Sequence, residues 1–162
     1  EDSQFVIFME VCRDAQILKM TLKNLGISVG AAIGSMTQFD REERFQQFRD
    51  NKIRVLVSTN VLGRGVDIPN IDVVVNYDIP SSAKEYIHRS GRAGRASRAG
   101  LALTFVTKES QKKYTQLEKF LGRKLPTYKY DKESVIKRMK EVDDAHQKAV
   151  DKYKRLSRGI TD

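Results

Sequence analysis

The sequence has one cysteine, no tryptophan and three prolines. It has no apolar run approaching the ~20 residues that a membrane-spanning helix requires. Cys12 stands alone, which excludes an intrachain disulfide and a cysteine-based metal cluster. With only His88 and His146 beside it, no metal site is expected. Such cysteine usage suits a reducing compartment, cytosol or nucleus. The start, Glu1-Asp2-Ser3-Gln4, lacks the basic flank and small-residue cleavage site of a signal peptide. The first apolar run begins at once, at Phe5, as expected of a piece of a longer protein.

Acidic residues are the minority charge, 21 against 30 basic ones, leaving a net charge of +9. That excess favours polyanions, nucleic acid above all, although charge alone fits a basic domain without a specific ligand equally well. A hydrophobic share of 40% over 162 residues supports one packed core with a short appendage and excludes global disorder.

Short apolar runs alternate with amphipathic stretches. Phe5 to Met9, Ile27 to Ile33, Val55 to Val57, Val73 to Val75 and Leu101 to Val106 read as strands covered on both faces. Asp14 to Leu25, Thr37 to Phe48, a stretch capped by Ser81 or Ser82, and Lys108 to Leu121 read as helices. This alternation predicts an α/β fold: an open, mainly parallel sheet with helices on both faces. Ligands of such sheets sit outside the carboxyl ends of the strands, so chemistry is expected in the loops there. Pro126 breaks the rhythm, dividing a domain over 1–126 from a helical extension and basic tail over 127–162. In the extension, Val135, Met139, Val142, Ala149, Tyr153 and Leu156 form a stripe at alternating four- and three-residue steps, with His146 in the gap. The stripe is expected to pack on its own domain, or else to dock a partner.

Two segments carry more specific information. The first is Val57-Ser58-Thr59-Asn60-Val61-Leu62-Gly63-Arg64-Gly65-Val66-Asp67-Ile68-Pro69. The second is Tyr86-Ile87-His88-Arg89-Ser90-Gly91-Arg92-Ala93-Gly94-Arg95. With Phe5 to Phe8, Gln38-Phe39-Asp40-Arg41 and Asn76-Tyr77-Asp78-Ile79-Pro80, this ordered set resembles motifs IV to VI of DEAD-box ATP-dependent RNA helicases. The matching part is their C-terminal RecA-like lobe. Ile68 to Pro80 and Gly122-Arg123-Lys124-Leu125-Pro126 look closest to the branch that matures ribosomal RNA, which implies a nuclear or nucleolar protein.

The resemblance implies roles for individual residues. Arg92 and Arg95 would meet the γ-phosphate of ATP, with Arg95 the arginine finger. Arginine suits this because it is always charged and presents a planar fork of donors to oxygens gaining charge in the transition state. Three residues apart, the two share one turn if the segment is helical, facing a triphosphate from the sheet's carboxyl edge. Gly65 and Asp67 would lie near the nucleotide, and His88 and Arg89 would couple the lobes. Arg13, Gly34, Gln38, Arg41 and Thr59 would hold the RNA backbone without reading bases. Gln38 and Arg41 open a helix, whose free N–H groups favour phosphate.

Several positions depart from the family pattern. Val11 stands where a threonine commonly contacts RNA, Ile33 replaces a histidine, Asn60 an aspartate, and Ser90 and Ala93 the usual branched residue and threonine. None removes a charge from the phosphate site. The sequence contains no Gly-x-x-x-x-Gly-Lys-Ser/Thr loop and no Asp-Glu-Ala-Asp, which in the family bind ATP and Mg²⁺ on the first lobe. The implied partners are RNA, that N-terminal lobe and protein cofactors, with no membrane. The chain alone is expected to be inactive. The competing readings are a non-catalytic RNA-binding or scaffold module and a related helicase acting on DNA.

Overall fold

A computed structural model of the protein describes residues 3–59 and 70–159. Five strands form one parallel sheet: β1 (Phe5–Phe8), β2 (Val29–Ala32), β3 (Val55–Ser58), β4 (Val73–Asn76) and β7 (Leu101–Thr104). Their order across the sheet is β2-β3-β1-β4-β7, and all four ladders are parallel. Two short strands, β5 (Gly94–Arg95) and β6 (Arg98–Ala99), pair separately as an antiparallel hairpin. The helices are α1 (Cys12–Asn24), α2 (Gln38–Arg49), α3 (Ala83–Ser90), α4 (Gln111–Leu121) and α5 (Lys132–Ser157).

The strand order dictates the layers. From β1 the chain moves past β3 to β2, then reverses to β3, so right-handed crossovers put α1 and α2 on opposite faces. Alternation along each strand feeds both. Val55 and Val57 pack with Met9, Ala15, Leu18 and Leu22 on the α1 face. Val6, Phe8, Leu56 and Val74 pack with Phe45 and Phe48 of α2 on the other. Each buried aliphatic or aromatic side chain contributes about 1.5–3 kcal/mol toward the ordering cost. α3 and α4 lean on one another through Tyr86, Leu117, Tyr114 and Leu121.

The predicted strands shorten at their ends: Ile27 lies before β2, and Phe105 and Val106 fall after β7 and are exposed. The extension stripe divides in two. Ala149 is fully buried and Tyr153 half-buried, whereas Val135, Met139, Val142 and Leu156 are exposed. For Val135, Met139 and Val142 the cause is length, because α5 has 26 residues and α1, its support, has 13. The two helices run antiparallel. Asn24 Nδ2 donates to Ala145 O at 3.0 Å, and Arg13 and Ile17 share a cavity with Tyr153 and Ser157. The first half of α5 therefore projects past the end of α1.

Gly100 closes the β5–β6 hairpin against Gly94, whose φ of +112° favours glycine. A Cβ at Gly100 would stand 2.0 Å from Gly94 N, a backbone atom that cannot swing aside. Gly100→Ala is expected to cost about 1–3 kcal/mol of stability, read as a lower urea midpoint at unchanged m-value.

Candidate functional site

Most of the described residues singled out from the sequence fall on two opposite edges of the sheet. At the carboxyl edge, the loop after β2 and the end of β3 are joined side by side. Gly34 N–H donates to Thr59 Oγ1 at 2.9 Å, and Thr59 N–H to Ala32 O at 3.4 Å. Thr59 itself is only 4% exposed, so its hydroxyl orders the loop, while Gly34 lies open. Thr37 caps α2: its Oγ1 accepts from Asp40 N–H at 3.1 Å and donates to Asp40 Oδ2 at 2.7 Å. The cap fixes the first turn, which carries Gln38 and Arg41. Arg41 Nη2 donates to Gln38 Oε1 at 2.6 Å and Nη1 to Met36 O at 3.3 Å. The two form one polar unit beside Gly34. Arg13, at the start of α1, is exposed and pairs with its neighbour Asp14 at 2.9 Å. Exposed pairs of this kind contribute little and exchange readily for a phosphate.

The arginines of the second segment are elsewhere. Gln4 precedes β1 and Asp72 precedes β4, so both lie at the amino edge. Arg95 Nη2 donates to Gln4 Oε1 at 2.9 Å and lies 3.4 Å from Asp72 Oδ2. The expectation that Arg92 and Arg95 face the carboxyl edge is therefore corrected, and the condition for a shared helical turn is not met. α3 begins beyond the carboxyl end of β4 and runs back along the sheet, which delivers the next segment to the amino end. The helix also stops at Ser90, so Arg92 lies in a turn and Arg95 in β5. Ile71 N–H donates to Arg92 O at 2.9 Å and Gly94 N–H to Ile71 O at 2.7 Å, and these bonds pin the turn beside β4.

Asp72 organises this edge. Its carboxylate is 8% exposed; Oδ2 accepts from Gln4 N–H at 2.8 Å, and Oδ1 is 2.6 Å from Arg98 Nη2. Burial alone would raise its pKa, but the Gln4 N–H and the charges of Arg95 and Arg98 outweigh burial and hold it below the ordinary carboxylate range. The network thus stabilises the fold above that range and loses its contribution as pH falls through the lowered value. One carboxylate faces two guanidinium groups, so a net positive charge remains. It borders an open groove of about 730 Å³ lined by Gly91, Gly94, Arg95, Arg98 and Gly100. Arg95 keeps 36% of its side-chain surface exposed.

His88 is exposed, and its Nε2 lies 3.5 Å from Arg92 Nη2. Arg89 is buried at 3% exposure, ion-paired with Glu85 and stacked 4.7 Å over the Phe8 ring. These Arg89 contacts tie α3 to β1 within the lobe. Gly65 and Asp67 lie outside the described residues. Among the described residues, no group of three His, Cys, Asp or Glu side chains could hold a metal ion.

Gln4, Asp72 and Arg98 went unpredicted. A signal was present, because a lone carboxylate directly before Val73-Val74-Val75 enters a buried strand and needs cationic partners.

Comparisons with known proteins point the same way. The family described as helicase conserved C-terminal domain matches residues 1–97. A probable ATP-dependent RNA helicase, DDX47, from Mus musculus is 38% identical over 145 residues, covering 90% of this chain and 32% of that protein. The ATP-dependent rRNA helicase rrp3 of Schizosaccharomyces pombe is 36% identical over 154 residues, covering 95% and 33%. The chain thus spans about a third of the length of these curated relatives. Among solved structures, a variant of S. cerevisiae Dbp5 bound to RNA and ADP BeF3 superposes with a TM-score of 0.71 at 32% identity, covering 91% of this chain and 38% of that one.

Thr59→Val keeps the shape of the side chain but removes the acceptor for Gly34 N–H. A hydrogen bond of this kind is worth ~1 kcal/mol net, so amide exchange at Gly34 should quicken about five-fold. Unchanged exchange would show that the loop holds itself.

Proposed function

Because the chain belongs to the DEAD-box ATP-dependent RNA helicases through their conserved C-terminal domain, we propose that it is the second of two RecA-like lobes that close over ATP and single-stranded RNA. The observation carrying this reading is Arg95: held on one side by Gln4 and Asp72, open on the other to a glycine-lined groove. Small residues let a phosphate chain approach, and a fixed guanidinium meets charge developing on the γ-phosphate without reorganising. Arg92 stands at the same turn, with Arg95 the finger. Gly65 and Asp67 approach the nucleotide, and His88 and Arg89 transmit closure between the lobes.

The opposite edge is the RNA side. Gly34 offers open backbone, Gln38 and Arg41 a donor pair at a helix N-terminus, Arg13 an exchangeable cation, and Thr59 the bond that shapes the loop. None of these groups reads a base edge by itself, which suits sequence-independent binding. The two motifs that in the family bind Mg²⁺ and the triphosphate are not in this sequence, so both are assigned to the N-terminal lobe. When bound there, Mg²⁺ neutralises phosphate charge; this lobe adds the arginines. ATP and RNA each favour the closed state, so each tightens the other. Relatives named as rRNA helicases support a role in ribosomal RNA maturation, which would place the protein in the nucleus or nucleolus.

In the two-lobed protein, Arg95→Ala should lower kcat for ATP hydrolysis by about 10³-fold while leaving RNA affinity within a few-fold. An unchanged rate would remove the finger. Arg41→Ala should instead weaken RNA binding on every sequence and reduce the slope of log affinity against log salt by about 0.7. The 162-residue chain alone should hydrolyse no ATP, and robust RNA-stimulated turnover from it would overturn the two-lobe division.

A further inference from the structure

Asp72 and Gln4 touch neither ATP nor RNA in the reading above, yet they fix the direction of the one side chain on which the proposed chemistry turns. We propose that they are positioning residues for phosphoryl transfer, holding Arg95 aimed at the groove; this rests on the finger reading above. Gln4 grips at both ends. Its Nε2 donates to Phe48 O at 2.7 Å, which leaves Oε1 facing outward to accept from Arg95 at 2.9 Å. Gln4 is 5% exposed and Asp72 8%, so neither acceptor can drift. Asp72 Oδ2 bonds the Gln4 N–H at 2.8 Å and stands 3.4 Å from Arg95 Nη2, so the two acceptors are themselves locked together.

Arg98 explains why this grip does not disarm the arginine. It lies 2.6 Å from Asp72 Oδ1 and takes up the carboxylate charge, so that Arg95 is oriented but not neutralised. The Nε of Arg95 is buried with no partner among the described residues, so Nη2 alone anchors the side chain within them. An arginine tethered through one nitrogen keeps its other terminal nitrogen free for an oxygen across the groove. Untethered, it would sample many rotamers and pay their entropy at the moment of reaction.

The test uses the two-lobed protein with Asp72→Asn, Asp72→Glu and Gln4→Leu, each alone and combined with Arg95→Ala. Misplacing a catalytic group by about 1 Å costs on the order of 10²-fold, so Asp72→Asn should lower kcat by about ten- to a hundred-fold. The KM for ATP and the RNA affinity should stay within about three-fold. In the Arg95→Ala background the same substitution should change nothing further, since there is no guanidinium left to aim. Asp72→Glu, which keeps the charge, should recover part of the loss. Should Asp72→Asn fail to fold, Gln4→Leu carries the same comparison, because it removes the second acceptor, together with the bond to Phe48 O, and leaves the Asp72 carboxylate in place. An unchanged kcat in the folded single variant, or an equal further drop in the Arg95→Ala background, would overturn the proposal. If Arg95→Ala itself leaves kcat intact, the finger reading fails instead, and the two failures are told apart.

Discussion

Parallel pairing constrains everything else in this molecule. A chain that lays strands side by side in one direction must carry every strand end back across the sheet before the next begins. Among the described residues these returns run through α1, α2 and α3, and each helix exports the next segment to the far edge. Residues directly after β2 and β3 stay at the carboxyl edge, where Gly34, Thr59, Gln38 and Arg41 meet. Residues after α3 are delivered to the amino edge, where Arg92 and Arg95 turn beside Ile71 and Asp72. One rule of connectivity thus sorts two chemistries that the sequence interleaves.

That sorting shows where reading the sequence succeeds and where it stops. Strand and helix order was legible because runs such as Val55 to Val57 and Val73 to Val75 are too apolar for anything but a doubly covered strand. The motif pattern was legible too, and the family stands on it, whichever edge the arginines occupy. Their edge was not legible, because spacing in the chain says nothing about where a helix has stopped. Gly91 and Gly94 marked a break after Ser90, yet a three-residue interval invited a helical turn. Asp72 escaped for a different reason. Its role exists only through Gln4, 68 residues earlier, and Arg98, 26 later, contacts that no local pattern contains.

The extension shows a similar limit. Its periodicity correctly gives one long helix, but a stripe reports only which face is apolar, and not how much support lies beneath it. α1 supplies support for half of α5, through Ala145 and Ala149. Both residues are small, which lets the two helices approach closely at their crossing. The other half stands clear because nothing described in the fold is long enough to reach it.

α2 touches both edges. Its first turn presents Gln38 and Arg41, and its last carries Phe48, whose carbonyl holds Gln4. A twelve-residue α-helix is a stiff rod of about 18 Å. It resists shortening far better than a loop does. A displacement at one tip is therefore carried, through the rod, to the side chain held at the other. The helix is thus a strut between the two edges of the sheet.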